Sequence, residues 1–165
     1  MSAVSVASAS GWLWGAAVAT LVAAAATPAA ADSPFSQFTG SWSGAGQVRF
    51  TGGSAEALKC RAYYTPKDGG GLGMAIRCAS TSSKIELRAT LAYSGGQVSG
   101  SWEERTYNAA GQVTGSANPG KINLAVSGGG FSATMNVGVT GHSQSVSIKA
   151  DGTGFTSVSI NLSKS

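Results

Sequence analysis

Two cysteines are the residues of this chain whose type and spacing point most directly to a chemical bond. Cys60 and Cys78 lie on either side of a Gly-rich turn at residues 68–71, and the flanking segments alternate apolar and polar residues. Folding the chain back at this turn places the cysteines opposite each other, at a separation that a disulfide can span. The sequence therefore predicts an antiparallel hairpin closed by a Cys60–Cys78 disulfide, in an oxidising compartment.

Two carboxylates are candidates for acid–base chemistry. Alternation places Glu56 on the face of Cys60 and Glu104 on the face of Trp102, so both point inward at strand ends. A pair of inward carboxylates can cleave glycosides, which makes a carboxylate-dependent hydrolase one alternative function. We favour the interpretation that both glutamates lie at the rim of the sheet, because a side chain at the end of a strand reaches water.

Other catalytic constellations are missing from the sequence. The one histidine, His142, falls in a predicted turn, and no nucleophile-elbow pattern accompanies it. A zinc site lacks ligands because both cysteines belong to the predicted disulfide. The Gly-rich turns lack the lysine and the following helix of a phosphate-binding loop. We therefore expect no enzymatic activity, no metal and no cofactor.

The outward face of the disulfide hairpin is a candidate for anion binding. The register that pairs the cysteines also sets Arg61 opposite Arg77, and like charges in that position repel. One interpretation is an ion-paired, solvated face bridged by Glu86. The other is an anion-binding patch with Tyr63 as a stacking neighbour, for an anionic envelope lipid, a glycan or a protein. The residues of this predicted patch are Lys59, Arg61, Arg77 and Arg88.

The N-terminal residues 1–31 have the pattern of a signal peptide. An apolar stretch at 12–26 precedes Pro28 and the triplet Ala-Ala-Ala at 29–31, which makes Asp32 the expected mature N-terminus. The apolar stretch is shorter than the roughly 20 residues that a membrane-spanning helix needs. The sequence predicts a periplasmic or secreted protein that is not an integral membrane protein after cleavage.

Residues 32–165 read as a single all-β domain. Apolar residues recur at every second position, and turn signals arrive every 10 to 15 residues. Short links between strands imply an antiparallel meander of 8–10 short strands. Such a meander closes as an up-and-down, calycin-like barrel or flattens into two packed sheets. The formal net charge of +4 is mild and argues against nucleic-acid binding.

The interior of the predicted barrel decides between functions. Large residues such as Trp102 share the apolar face with small ones such as Gly115. We expect a filled interior, because Trp102 can lie over Gly115 across one hairpin. A hollow interior would favour a lipocalin-like carrier of a small apolar ligand, since ten strands enclose more space than eight.

The tripeptide Gly40-Ser41-Trp42 resembles the opening of lipocalins and avidins. That resemblance implies a barrel in which Trp42 plugs one end, and it makes Lys164 the candidate for the basic residue that covers this tryptophan. Lipocalins also carry a helix after the barrel, whereas this chain ends on a predicted strand. The resemblance therefore concerns shape, with Trp42 as a plug and Trp102 as a second plug or pocket aromatic.

The whole mature chain resembles small exported proteins of unknown function from alphaproteobacteria. The matching segments are residues 40–44, 59–63, 77–80, 100–104 and 145–148. This resemblance implies an exported location and carries no activity. The expected function is a non-enzymatic binding or envelope-accessory role, and the apolar-ligand carrier and the hydrolase are the alternatives.

Overall fold

The computed structural model describes residues 33–165, which form a closed antiparallel β-barrel. The ten strands are β1 (Gly40–Phe50), β2 (Ala55–Lys67), β3 (Gly71–Ala79), β4 (Lys84–Ser94), β5 (Gln97–Glu104), β6 (Ala109–Asn118), β7 (Lys121–Gly128), β8 (Phe131–Thr140), β9 (Ser143–Asp151) and β10 (Phe155–Lys164). A single-turn 3-10 helix, Asp68–Gly70, links β2 to β3. The predicted signal peptide, residues 1–31, lies outside the described residues.

Each strand pairs with the next along the chain, and β1 pairs with β10 to close the barrel. The predicted antiparallel meander is therefore confirmed, and the chain adopts the closed barrel of the two alternatives. Short hairpin links permit only this antiparallel order. Within residues 33–165, no helix is long and apolar enough to cross a membrane.

The disulfide hairpin has the predicted register. Cys60 and Cys78 are directly opposed on β2 and β3, with a Cα–Cα distance of 4.2 Å and a bonded sulfur pair at 2.08 Å. Both side chains are buried on the inward face. The disulfide is consistent with an exported, oxidising location.

The two ends of the barrel differ. The N-terminal segment, residues 33–39, packs against one end through Phe35 and Phe38, which are both fully buried. The ring of Phe35 meets Tyr93 edge-on, and that of Phe38 meets Tyr64. We call this the plugged end. The opposite end, called the mouth, is bordered by the hairpin turns that follow β1, β3, β5, β7 and β9.

Interior glycines let neighbouring strands approach closely where the barrel wall bends. Gly44 of β1 pairs with Leu162 of β10 across the seam that closes the barrel. A Cβ atom at Gly44 would meet the carbonyl oxygen of Asn161 and lie 2.9 Å from the Cα of Leu162. These obstacles are backbone atoms, so no side-chain movement can relieve them.

The disulfide should contribute measurably to stability. Because it closes a loop between residues 18 apart, the double variant Cys60→Ala/Cys78→Ala should lose about 3 kcal/mol of unfolding free energy in the chain-entropy model. Urea denaturation measures this loss. Thiol titration of unreduced, unfolded wild-type protein should find no free thiol, and two titratable thiols in protein recovered from the periplasm would contradict the assignment.

The seam glycine should not tolerate a methyl group. We expect Gly44→Ala to lower the unfolding free energy by about 1–3 kcal/mol, because the barrel wall must shift to admit the new atom. Gly52→Ala is the matched control, since nothing lies within 4 Å of a Cβ atom at that turn position. Equal urea midpoints for the two variants would show that close packing at the seam is unimportant.

Candidate functional site

The half of the barrel nearest the mouth is hollow. Its cavity has a volume of about 440 Å³ and is lined mainly by apolar side chains. Inward-facing residues from opposite walls contribute to it, among them Leu58, Met74, Leu87, Leu124, Met135 and Ile160. The expectation of a filled interior is therefore wrong.

The position of Trp102 accounts for part of this error. Trp102 pairs with Gly111 rather than with Gly115, because the turn between β5 and β6 comes earlier than the sequence suggests. Its indole N–H donates to the carbonyl of Ser127 at 3.1 Å, and its ring lies 5.1 Å from that of Phe131. These contacts hold Trp102 in the cavity wall, so it is a pocket aromatic.

Trp42 lies at the plugged end, as the lipocalin resemblance implies. Its indole N–H donates to the carbonyl of Phe38 at 2.7 Å. The ammonium nitrogen of Lys164 lies 5.3 Å from the centroid of the Trp42 ring, a cation–π contact. The Trp42 side chain thus contacts both the segment before β1 and the end of β10.

A buried polar pair lies deeper in the plugged end. The hydroxyl of Tyr64 donates to the side-chain oxygen of Gln144 at 3.0 Å, and both residues are buried. Burial raises the pKa of Tyr64 well above its usual value, so the hydroxyl stays protonated and remains a donor. The amide nitrogen of Gln144 has no hydrogen-bond partner within residues 33–165. Sequence alternation missed this pair, because Gln144 occupies an inward position that the pattern reserves for apolar residues.

Glu104 organises one side of the mouth. One carboxylate oxygen accepts the backbone N–H of Glu86 at 2.7 Å, and the other accepts that of Tyr107 at 2.6 Å. The side chain therefore replaces a strand partner where β5 ends and fastens the following turn. Glu104 also borders the cavity, together with the largely exposed Tyr107.

Glu56 has a separate structural role. Its carboxylate accepts hydrogen bonds from the hydroxyl of Ser82 at 2.7 Å and from the backbone N–H of Ser82 at 3.2 Å. Hydrogen bonding from Ser80 and Ser82 lowers the pKa of Glu56. A general acid needs a raised pKa, so the hydrogen bonds of Glu56 do not suit it for that one role.

The outer face of the disulfide hairpin has the predicted arrangement of charges. Arg61 and Arg77 are directly opposed on β2 and β3, and Glu86 lies opposite Arg77 on β4. A carboxylate oxygen of Glu86 contacts Arg88 at 3.0 Å, Arg77 at 3.2 Å and Arg105 at 3.9 Å. The hydrogen bond from Arg88, followed by the charge of Arg77, lowers the pKa of Glu86.

The ion-paired interpretation therefore applies to Arg77 and Arg88, whereas anion binding by Lys59 and Arg61 stays a prediction. Glu86 bridges arginines as expected, and sequence reasoning missed the third one, Arg105, because it lies in a turn outside the alternating pattern. Lys59 and Arg61 form no ion pair within the described part of the chain. They line a shallow outer groove with Tyr63, whose side chain is exposed.

His142 lies away from the cavity. It occupies the exposed turn between β8 and β9, where its carbonyl accepts the backbone N–H of Lys164 at the plugged end. Among residues 33–165, no group of three His, Cys, Asp or Glu side chains is arranged to hold a metal ion.

Fold comparison identifies this architecture as a lipocalin-like barrel. The crystal structure of Rv2717c from M. tuberculosis superimposes with a TM-score of 0.67 and 13% sequence identity, covering 79% of this chain and 94% of that chain. The S-type phycobiliprotein lyase CpeS from Guillardia theta gives a TM-score of 0.54 and 13% identity, covering 79% and 90%. Both are ten-strand barrels, and at this identity the likeness concerns the fold alone.

No protein-family model matches the chain, and no curated protein sequence matches it either. The resemblance to exported alphaproteobacterial proteins therefore stays a prediction. The chain shares the fold of ten-strand, lipocalin-like barrels, and its apolar cavity lies on the side of the mouth.

Proposed function

We propose that this chain is an exported, non-enzymatic carrier that holds one small apolar ligand in the barrel cavity. The observation that carries the proposal is the cavity itself, about 440 Å³ of mainly apolar space. Ligand sites in proteins have volumes of about 300–1,000 Å³ and apolar walls with few polar groups. An apolar cavity of this size favours a carrier over a general accessory role.

The shape of the cavity supports a carrier. Phe35, Phe38 and Trp42 are buried at the plugged end, so a ligand enters and leaves through the mouth. The apolar walls supply binding energy in proportion to the area that they bury, at about 25 cal/mol per Å². Glu56 and Glu104 are engaged by hydrogen bonds from the turns, which leaves the cavity without an acid–base pair.

Export is the second part of the proposal. The Cys60–Cys78 disulfide requires an oxidising compartment to form and persist. The predicted signal peptide at residues 1–31 ends directly before the segment that plugs the barrel. Cleavage after Ala31 would leave Phe35 and Phe38 within seven residues of the mature N-terminus.

A cavity-filling substitution should remove ligand binding. Nile red, an uncharged apolar fluorophore, should bind the mature protein saturably at one site. We expect Ala133→Trp to weaken this binding at least about tenfold (1.4 kcal/mol), because Ala133 lines the cavity and the indole would occupy it. Fluorescence titration measures the dissociation constants.

The control carries the same substitution on the other side of the wall. Ala125 is exposed on the outward face of β7, one register position from the partner of Ala133. Ala125→Trp should leave the dissociation constant for Nile red unchanged. Unaltered Nile red binding to Ala133→Trp would refute the carrier.

The two tryptophans of the mature chain provide a second test. Trp102→Phe should abolish most of the ligand-induced change in tryptophan emission, because Trp102 lines the cavity, whereas Trp42→Phe should preserve it.

A second candidate function is anion binding by the outer groove. Lys59 and Arg61 lie there without ion-pair partners in residues 33–165, beside the exposed ring of Tyr63. An arginine guanidinium binds phosphate and carboxylate groups through paired donors. We propose an anionic envelope lipid as the partner, with an acidic glycan or a protein as the alternatives.

Removal of two groove cations should weaken binding to anionic vesicles. We expect Lys59→Ala/Arg61→Ala to reduce partitioning onto phosphatidylglycerol vesicles about 30-fold at low salt, because each cation near an anionic surface contributes about 1 kcal/mol of binding free energy. The difference should shrink as salt rises. Cosedimentation measures both effects, and an acidic polysaccharide used in place of the vesicles tests the glycan alternative.

Lys121→Ala/Lys149→Ala is the charge-matched control, because these lysines lie on β7 and β9, outside the groove. It should retain vesicle binding. If both double variants lose binding equally, net charge alone is responsible and the groove is not a binding site.

A further inference from the structure

We infer that the ligand of the cavity is an apolar alcohol, and that Glu104 both accepts its hydroxyl and excludes fatty-acid carboxylates. The inference rests on the carrier function proposed above and names the chemical class of its ligand. It follows from the charges around the cavity and from the hydrogen bonding of Glu104.

Among residues 33–165, no basic side chain lines the cavity. Of the residues that border it within the described chain, Glu104 alone carries a charge, and that charge is negative. Strand alternation explains this: on β4 the inward residues are Ile85, Leu87 and Ala89, while Lys84 and Arg88 lie on the other face. A carboxylate ligand would therefore lose hydration without gaining a cation, at a substantial cost.

Glu104 retains capacity to accept a ligand hydroxyl. An ionised carboxylate offers about four lone-pair sites, and backbone N–H groups of Glu86 and Tyr107 use one on each oxygen. These two bonds also hold the carboxylate in a fixed position beside the cavity. A hydroxyl group of a ligand in the cavity can donate to a remaining site, and hydrogen bonds to charged groups contribute more than neutral ones.

The other polar groups at the mouth fit the same conclusion. The hydroxyl of Thr153 already donates to the carbonyl of Phe155 at 2.6 Å and accepts its N–H at 3.3 Å. The Ser83 carbonyl and backbone N–H are both bonded to Ser80. Glu104 is thus the one charged acceptor among the described residues that border the cavity, and none of those residues is a cation that could pair with an anion.

Three ligands with the same twelve-carbon chain separate these contributions. Dodecanol, dodecanoate and dodecyl methyl ether compete with Nile red for the mature protein at pH 8. We expect dodecanol to displace the dye, and dodecanoate and the ether each to be at least about tenfold weaker. The cavity offers dodecanoate no compensating cation, and the ether has no hydroxyl group that could donate a hydrogen bond to Glu104.

Glu104→Gln should bring the affinity for dodecanoate closer to the affinity for dodecanol, because the negative charge at the mouth is removed. Glu56→Gln is the matched control, since Glu56 is a second mouth carboxylate that does not line the cavity. It should leave the ratio of the two affinities as in the wild type. If Glu104→Gln fails to fold, Leu87→Lys places a cation opposite Glu104 in the barrel wall and should raise dodecanoate affinity in the same way.

The outcomes distinguish this inference from the carrier proposal. If Nile red does not bind the cavity at all, the carrier proposal fails and the ligand class fails with it. If Nile red binds and dodecanoate competes as well as dodecanol, the cavity is a carrier site and the alcohol inference alone is overturned. Equal competition by dodecanol and the ether would likewise overturn the role of Glu104 as hydroxyl acceptor.

Discussion

The pairing of β1 with β10 is the interaction on which the rest of the structure depends. It joins the first and last strands from Trp42 opposite Lys164 to Phe50 opposite Phe155, and it leaves no free sheet edge. Close approach of the two backbones at Gly44 makes this seam possible. A closed ring of ten strands is also wider than the eight-strand ring that side chains just fill. Closure of ten strands therefore leaves interior space that the inward side chains of the wall do not fill by themselves.

The two ends of the barrel use that interior differently. At the plugged end, the buried rings of Phe35 and Phe38 contact those of Tyr93 and Tyr64, and the carbonyl of Phe38 accepts the Trp42 indole N–H. At the mouth no segment of residues 33–165 enters the barrel, and hairpin turns border an open apolar cavity. Carboxylates accept backbone N–H groups of these turns, as Glu104 does for Tyr107. Among the described residues the cavity is thus closed at the plugged end and bordered by turns at the mouth, which is the geometry on which the carrier proposal rests.

One hairpin register determines both the inside and the outside of the barrel wall. Because side chains alternate across a strand, the pairing that buries the Cys60–Cys78 disulfide also places Arg61 opposite Arg77 in solvent. Glu86 relieves the repulsion at Arg77, whereas Arg61 keeps its charge free within the described chain. The apolar cavity and the basic groove are thus opposite faces of the same strands. A shift in the register of these strands would therefore displace both the cavity lining and the groove.

The sequence by itself determined the strands, their antiparallel order and the register of the β2–β3, β3–β4 and β9–β10 hairpins, since period-two alternation and short turns are local signals. It placed Cys60 against Cys78 and Glu86 beside Arg77 correctly. Only the tertiary structure decided that the sheet closes and that its interior is hollow, because enclosed volume depends on the tilt and stagger of all ten strands together. The turn before β6 shows the limit: Asn108 adopts a left-handed φ of 51°, and the resulting register moves Trp102 from Gly115 to Gly111.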